Sequence, residues 1–420
     1  MDRQAVVTGL GVVAPGGIGA KQFWELLTAG RTATRTISLF DATGFRSRVA
    51  AECDFDARVA GLSHRQIRMW DRTTQFAVVA AREALADSGV ADGIVPERTG
   101  VAIGTACGMT QSLDHEYAVA SDEGRAWLVD DRHGSPYLYD YFLPSSMAVE
   151  VAWLVGAEGP VAIVPTGCTS GIDALVHAAE LIRDGVVDVV VAGASDAPIS
   201  PITAACFDAI KATTPRNDEP ETASRPFDRT RNGFALAEGA AVLVLEEGER
   251  ARRRGAHVYA ELAGAAGRCN AHSMTGLRPD GAELAEAITA ALAAARLNPS
   301  DVDYISGHGS STKQNDLHET AAYKASLGEH ARRTPISSIK SMVGHSLGAI
   351  GALEAVACTL AIEHSVVPPT ANLVEPDPEC DLDYVPVTAR EHRVDVALNV
   401  GSGFGGFQSA MVLTAPGRAR

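Results

Sequence analysis

Residues 161–182 read VAIVPTGCTSGIDALVHAAELI, which is the order of a buried strand, a glycine turn and a helix. Residues 335–362, PISSIKSMVGHSLGAIGALEAVACTLAI, repeat that order. When Gly167 is laid on Gly344, Cys168 and His345 fall at equivalent strand-to-helix turns. Internal similarity of this kind predicts a duplicated fold whose two halves meet at a shared site.

Apolar runs and helical patterns alternate along the rest of the chain. Strands are predicted at residues 5–8, 100–104, 161–165, 187–192 and 241–245, and helices at 72–87 and 172–184. Further strands are predicted at 258–262, 302–306, 336–339, 394–400 and 409–413. This alternation predicts an α/β fold with a largely parallel sheet covered on both faces. Since no Pro-rich or Ser-rich linker intervenes, residues 1–255 and 256–420 are predicted to be two halves of one body.

The charge balance limits the kinds of partner. The 420 residues include 36 basic and 52 acidic side chains, and the net charge of −16 would repel a polyphosphate backbone, so we expect no nucleic-acid partner. An anionic protein would need a local basic patch. The candidates are Arg65, Arg68 and Arg72, or Arg225, Arg229 and Arg231, although either set also fits an ordinary solvated surface.

Cysteine use and hydropathy indicate the compartment. The seven cysteines are scattered singly without CxxC pairs, which favours the reducing cytoplasm over a disulfide framework. The N-terminal segment MDRQAVVTGLGVVAPGG lacks the continuous apolar run of a secretion signal. No uncharged span of about 18 apolar residues free of Gly and Pro clusters occurs, so a membrane-spanning helix is not predicted.

Cys168 is the first candidate for catalysis. It precedes a predicted helix whose apolar positions have helical spacing, so the thiol is predicted to lie at a helix N-terminus. Free backbone amides and the helix dipole favour a thiolate there. Small neighbours, Gly167 and Gly171 among them, allow a tight turn that exposes the sulfur. A buried, inert cysteine is the alternative interpretation.

Two histidines form the second set of candidates. His308 follows the predicted strand at 302–306, and the carboxyl ends of strands in α/β sheets collect ligand chemistry. His345 opens a helix predicted at 346–362, where the helix dipole disfavours the imidazolium form. A neutral imidazole that donates a hydrogen bond is therefore expected, and a structural histidine in a turn is the alternative.

The predicted helix at 346–362 is small and apolar but contains Glu354, and a lone buried carboxylate is costly. We expect Lys340, which precedes that helix, to be its partner.

The glycine-rich segments at 9–14 and 401–406 imitate dinucleotide-binding loops but lack the helix that phosphate binding requires. A zinc site formed by Cys168, His308 and His345, or a Cys-His-Asn arrangement with Asn399, is formally available.

Four segments, taken in order, resemble the active-site blocks of thiolase-fold β-ketoacyl synthases: PTGCTSGIDA, GHGSSTKQND, IKSMVGHSLGAIGALE and GSGFGGF. The resemblance extends over essentially the whole chain and implies a five-layered α/β/α/β/α fold built from two duplicated halves. Within this family, residues 23–47, 196–214 and 375–386 look most like the ketosynthase α subunit of bacterial type II aromatic polyketide synthases.

The resemblance implies a catalytic role for six residues. Cys168 would accept the acyl chain, and His308 and His345 would drive malonyl decarboxylation and steady the enolate. Lys340, paired with Glu354, would orient the histidines. The backbone amides of Cys168 and Phe404 would form the oxyanion hole, and Phe404 would gate the site.

Three further residues match substrate-binding positions of the family. Ser310 and Thr312 match hydroxyls that bind phosphopantetheine, and Asp316 matches an acid behind them. Pro165 stands where the family more often has Ser, and Gly307 stands where Ala or another residue usually precedes the histidine. Both departures leave the substrate fit open.

The resemblance also implies the reaction and the partners. The chain would join malonyl units to an acyl chain on Cys168 by decarboxylative Claisen condensation, with no cofactor of its own. Substrates would arrive on the phosphopantetheine arm of an acyl carrier protein. The enzyme would be a heterodimer with a homologous, chain-length-factor-like subunit that lacks the cysteine. The alternative is a homodimeric 3-oxoacyl-[acyl-carrier-protein] synthase of fatty-acid elongation.

Overall fold

A computed structural model describes residues 3–126 and 130–418. In the first half the strands are β1 Ala5–Ala14, β2 Gly17–Ile18, β3 Arg35–Thr36, β4 Val49–Ala51, β5 Thr99–Gly104, β6 Val161–Val164, β7 Val189–Asp196, β8 Leu236–Ala237 and β9 Gly239–Glu247. The α-helices there are α1 Ala20–Thr28, α2 His64–Met69, α3 Arg72–Ser88, α4 Thr110–Ala120, α5 Leu138–Phe142, α6 Ser145–Val155, α7 Ser170–Arg183, α8 Pro201–Ala209 and α9 Gly248–Arg253.

The second half has fewer strands and α-helices in the described part of the chain. Its strands are β10 Ala260–Cys269, β11 Tyr304–Ser306, β12 Ile336–Ser337, β13 Val366–Val367, β14 Arg390–Glu391, β15 Val396–Gly403 and β16 Phe407–Thr414. Its α-helices are α10 Ala282–Ala294, α11 Lys313–Leu327, α12 Lys340–Val343 and α13 Ile350–His364.

The main sheet shows the duplication directly. Among the described residues its strands run β12-β11-β15-β16-β10-β1-β9-β7-β5-β6, with β2 paired to β1. If the five strands of each half are numbered in chain order, both halves show the same spatial order, 3-2-4-5-1, from the outer edge of the sheet to its middle. The outer pairs are parallel and the inner pairs, including β1 with β10, are antiparallel. The predicted duplication is confirmed, but the prediction of a largely parallel sheet is wrong for its middle.

Alternating side chains on each strand bury two opposite faces. In β7, Val190 and Ala192 pack with α7 and α13, whereas Val189 and Val191 pack with α3 and α6. In the second half, α10 and α11 cover the outer face. The layers are therefore helix, sheet, helix pair, sheet and helix, which is the predicted α/β/α/β/α arrangement. The boundary at residue 255 stays a prediction.

The central helices α7 and α13 cross so closely that only glycine fits at the contact. A Cβ on Gly171 would lie 2.5 Å from the nitrogen of Ala352, and one on Gly351 would lie 3.0 Å from that of Ile172. Each helix follows a 3-10 turn, Gly167–Thr169 before α7 and Leu347–Ala349 before α13. When the two turns and helices are aligned on Gly171 and Gly351, Cys168 falls on Gly348. The predicted match of Cys168 with His345 is therefore wrong by three residues.

The segment Leu347–His364 is long and apolar enough to cross a membrane, yet 89% of it is buried inside the described part of the protein. That burial is the environment of a core helix.

Candidate active site

Residues from both halves line a cavity of ≈ 490 Å³. Of the residues predicted to act, Cys168, His308, His345, Phe404, Ser310 and Thr312 line it. Lys340, Glu354 and Asp316 lie behind its wall and are fully buried. The structure therefore brings together the candidates that need contact with a substrate and keeps the others as supports.

Cys168 lies in the 3-10 turn at the start of α7, as predicted, and is half-buried. Gly167 opens the turn at φ +63°, a left-handed conformation that favours glycine. Burial raises the pKa of the Cys168 thiol to about 11, against the effects of Lys340 and a backbone hydrogen bond from Phe404. Loss of water thus opposes the thiolate that the helix N-terminus favours, and the expected resting thiolate stays a prediction.

His345 is held in one tautomer by its own turn. Its Nδ1 accepts the backbone N–H of Leu347 at 3.1 Å, so the neutral ring carries its proton on Nε2. Burial, aided by Lys340, lowers the pKa of His345 well below its ordinary value. The predicted neutral donor is consistent with this geometry, although burial rather than the helix dipole is the main cause.

His308 lies against His345, with ring centroids 5.2 Å apart and planes at 77°. Burial, Lys340 and His345 together lower the pKa of His308 well below its ordinary value. Among the described residues, no hydrogen-bond partner reaches the buried Nδ1 of His308. Two neutral imidazoles thus face one cavity.

Lys340 and Glu354 form the predicted pair. The Lys340 ammonium donates to a carboxylate oxygen of Glu354 and, at 2.5 Å, to the carbonyl oxygen of His308. Both side chains are buried, and burial raises the pKa of Glu354, although the Lys340 ammonium opposes that rise and favours the carboxylate form. The ammonium fixes the histidine loop and keeps a positive charge beside both rings.

Ser310 and Thr312 share a hydrogen bond of 2.9 Å at the cavity wall. Asp316 lies deeper, accepting the backbone N–H of Phe227 at 2.8 Å and pairing with buried Arg231 at 3.1 Å. Burial raises the pKa of Asp316 to about 7, against the effect of Arg231. The Asp316 carboxylate therefore supports the loop and does not line the cavity.

Phe404 lies in the turn between β15 and β16, with 37% of its surface exposed. Its ring centroid is 6.4 Å from that of Phe207, and Phe207 in turn packs on Phe234 at 5.3 Å. Gly405 and Gly406 follow at φ +92° and +86°. This left-handed pair makes a tight turn that presents the Phe404 ring at the cavity.

Sequence reasoning missed Glu319 and the cavity-lining rings of Phe207 and Phe234. Glu319 accepts the backbone N–H of Gly309 at 2.7 Å and the side chain of Asn315 at 3.0 Å, so it braces the His308 loop. Asn315, Glu319 and Tyr323 recur every four residues, which places polar groups along one buried face of α11. That spacing was the available signal.

The basic patches are smaller than predicted. Arg72 pairs with buried Glu238, and Arg231 is itself buried, so neither belongs to a surface patch. Arg229 is exposed and pairs with Glu375. Arg65 and Arg68, both exposed on α2, remain from the first candidate.

The structure also shows whether the weaker motifs can form binding sites. Residues 9–14 lie inside β1, and residues 401–406 join the hairpin strands β15 and β16, so neither segment is a phosphate loop before a helix. Asn399 donates to the carbonyl of Gly351 at 3.0 Å. Within 3–126 and 130–418, no group of three His, Cys, Asp or Glu side chains is arranged to hold a metal. These alternatives gain no support.

Comparisons with known proteins agree with this architecture. Residues 2–251 match the family described as β-ketoacyl synthase, N-terminal domain, and residues 259–374 match the β-ketoacyl synthase, C-terminal domain. The chain is 73% identical to an oxytetracycline polyketide β-ketoacyl synthase 1 of Streptomyces rimosus, over 100% of this chain and 98% of the relative. It is 65% identical to a tetracenomycin polyketide synthase ketoacyl synthase α subunit of Streptomyces glaucescens, over 100% and 99%.

Solved structures share the whole fold. One chain of a type II polyketide synthase acyl-carrier protein in complex with its ketosynthase, bound to the hexaketide, matches with a TM-score of 0.93 and 40% identity. The match covers 99% of this chain and 100% of that chain. The ishigamide ketosynthase/chain length factor matches with a TM-score of 0.91 and 34% identity, over 99% and 100%.

Proposed function

The chain belongs to the β-ketoacyl synthase family, and we propose that it is the catalytic subunit of a type II polyketide synthase. It extends an acyl chain by decarboxylative Claisen condensation. The observation that carries this proposal is the single cavity in which the Cys168 thiol meets the neutral rings of His308 and His345. The polyketide assignment is supported by relatives with those names at 73% and 65% identity.

The first half-reaction is transacylation. The Cys168 sulfur attacks the thioester of an acyl carrier, the new C–S bond forms on Cys168, and the carrier thiol leaves with the proton. The backbone N–H groups of Cys168 and Phe404 stabilise the developing oxyanion. The hydrogen bond from Phe404 toward the sulfur supports this role, since it places that amide beside the reacting atom.

The second half-reaction joins two carbons. A malonyl thioester loses carbon dioxide, and the electron pair becomes an enolate whose oxygen accepts hydrogen bonds from His345 and His308. The enolate carbon attacks the acyl carbonyl on Cys168, a C–C bond forms, and the C–S bond breaks to return the thiol after protonation. Neutral imidazoles suit this step, because a donor must stabilise new negative charge without giving up its proton permanently.

Substrates arrive on the phosphopantetheine arm of an acyl carrier protein, and the enzyme has no cofactor of its own. The paired hydroxyls of Ser310 and Thr312 are suitably placed to bind the amides of that arm. We place the enzyme in the cytoplasm, which agrees with its free cysteines.

The partner is a homologous subunit of the chain-length-factor kind. Strand β6 is an edge of the sheet, with Val161 40% exposed, and the adjacent α6 exposes Trp153 to 71%. Tyr139 and Phe142 on α5 are also exposed, to 70% and 67%. An unpaired edge beside large apolar side chains supports a subunit interface.

Reconstitution tests the function. The purified pair of subunits, given malonyl carrier protein, should release carbon dioxide and build a polyketide chain whose acyl adduct is seen on Cys168 by intact-mass analysis. Full-rate synthesis of fatty acyl chains by this chain alone would favour the fatty-acid alternative. Absence of any acyl adduct on Cys168 would reject both.

A further inference from the structure

Asp196, at the carboxyl end of β7, is buried and accepts hydrogen bonds from two separate parts of the chain. Its Oδ1 accepts the Thr105 hydroxyl at 2.7 Å and the backbone N–H of Cys107 at 3.1 Å. Its Oδ2 accepts the backbone N–H groups of Ala106 at 2.8 Å and Gly348 at 2.7 Å. The first three donors follow β5 in the first half, whereas Gly348 belongs to the turn before α13 in the second.

The turn that Asp196 holds is strained at Leu347 and tightly packed at Gly348. Leu347 has φ +50°, a left-handed conformation that a side chain makes unfavourable. A Cβ on Gly348 would lie 2.5 Å from Asp196 Oδ2 and 2.5 Å from the nitrogen of Ala106. Strained backbone of this kind persists only where the surroundings determine it, and the Asp196–Gly348 bond is such a constraint.

The strained residue acts directly on a candidate donor. The Leu347 N–H that points at His345 Nδ1 leaves the imidazole proton on Nε2. A shift of the Leu347 peptide would remove that N–H and free the ring to adopt the other tautomer. The chain of contacts therefore runs from Asp196 through Gly348 and Leu347 to the proton on His345.

We propose that Asp196 is a positioning residue for decarboxylation, which fixes the turn at Leu347–Gly348 and thereby the Nε2–H tautomer of His345. The inference rests on the proposed function, in which His345 donates to the enolate. The position requires a group that only accepts, because all four neighbours donate. An ionised carboxylate meets that requirement and an amide does not, since its NH₂ would face the N–H groups of Ala106 and Gly348 on the Oδ2 side or that of Cys107 on the Oδ1 side.

Asp228 supplies a matched control. It is also a buried carboxylate that accepts four hydrogen bonds, from the backbone and hydroxyl of Thr230 and the backbone N–H groups of Val374 and Glu375, and the Arg225 guanidinium lies 3.8 Å from its Oδ1. It does not line the cavity. Asp228→Asn therefore imposes the same mismatch of donors elsewhere in the fold.

The test reads the tautomer first in the unmodified chain within its complex. With ¹⁵N-labelled histidine, and His345→Asn to assign the signals, His345 should show a bare Nδ1 and a protonated Nε2. Asp196→Asn should give a mixture of tautomers, and Asp228→Asn should not. A proton on Nδ1 in the unmodified protein would overturn the inference even if Asp196→Asn failed to fold.

Kinetics separates this inference from the proposed function. Asp196→Asn should slow release of carbon dioxide from malonyl carrier protein about 10-fold or more, less than the loss expected for His345→Ala. Acylation of Cys168 should change less than about 3-fold, and Asp196→Glu should recover part of the decarboxylation. If His345→Ala slows decarboxylation but Asp196→Asn does not, the positioning role is rejected alone. If His345→Ala has no effect, the proposed function fails.

Discussion

The ammonium of Lys340 lies 2.5 Å from the carbonyl oxygen of His308 and at the same time pairs with Glu354. One buried cation thereby ties the loop of one imidazole to the helix that follows the other. Its charge also lowers the pKa of both histidines, in addition to the larger effect of burial. The Lys340 ammonium behind the cavity wall therefore helps to keep the two imidazoles at the cavity in their neutral form.

Removing the cation should be costly for stability. Lys340→Met leaves the buried Glu354 carboxylate unpaired, and we expect a loss of about 3–5 kcal/mol in the free energy of unfolding. The matched exposed pair, Lys324 with Asp381, should lose at most about 1 kcal/mol in Lys324→Met. Denaturant titration measures both. Equal losses in the two variants would contradict the role given to burial.

Cys168→Ala should abolish acyl transfer while the fold persists, because the thiol is half-buried at the cavity and the change removes one atom. Intact-mass analysis after incubation with acyl carrier protein should show no adduct. Cys206→Ala, which alters an exposed cysteine on α8, is the control and should keep the adduct. Elongation at the unmodified rate in Cys168→Ala would exclude Cys168 as the nucleophile.

The raised pKa of Cys168 makes a pH prediction. With a pKa of about 11, the thiol is protonated at neutral pH, and the thiolate fraction grows about tenfold per pH unit up to the pKa. Alkylation by iodoacetamide, followed at Cys168 by mass spectrometry, should therefore keep accelerating from pH 7 to pH 10. A plateau near pH 7 would instead indicate the thiolate that the helix N-terminus alone predicts.

The sequence predicted the nucleophile turn because a glycine, a cysteine and a helical apolar pattern are all local signals. It also predicted the Lys340–Glu354 pair, since a carboxylate in an apolar helix needs a cation. It did not predict Asp196, because its four donors lie about 90 and 150 residues away in the chain. Charge alone likewise placed Arg72 and Arg231 on the surface, whereas Arg231 is buried and Arg72 is half-buried, because both pair with acids distant in sequence.

The exposed arginines that remain should matter for carrier binding. Exposed charge contacts are worth about 0.2–1 kcal/mol each, so the double variant Arg65→Glu/Arg68→Glu should raise the KM for carrier protein roughly 2- to 30-fold. The kcat should change little, and added salt should weaken binding to the unmodified enzyme. Arg229→Glu is the control for charge reversal elsewhere. An equal rise in KM for the control would show that net charge, rather than this patch, decides docking.

The final prediction concerns the second subunit. An edge strand at β6 beside exposed Trp153, Tyr139 and Phe142 leaves unpaired backbone groups and a large apolar surface in water, which promotes association. Expressed alone, the chain should aggregate or self-associate with weak elongation activity, and co-expression with the partner should give a one-to-one complex.

Trp153→Glu should prevent that complex, because a carboxylate cannot be buried there unpaired. Val59→Glu, at an 86% exposed position, is the control for an added charge. Light scattering combined with an elongation assay decides the matter: a stable homodimer that makes long chains at full rate without a second subunit would reject the heterodimer.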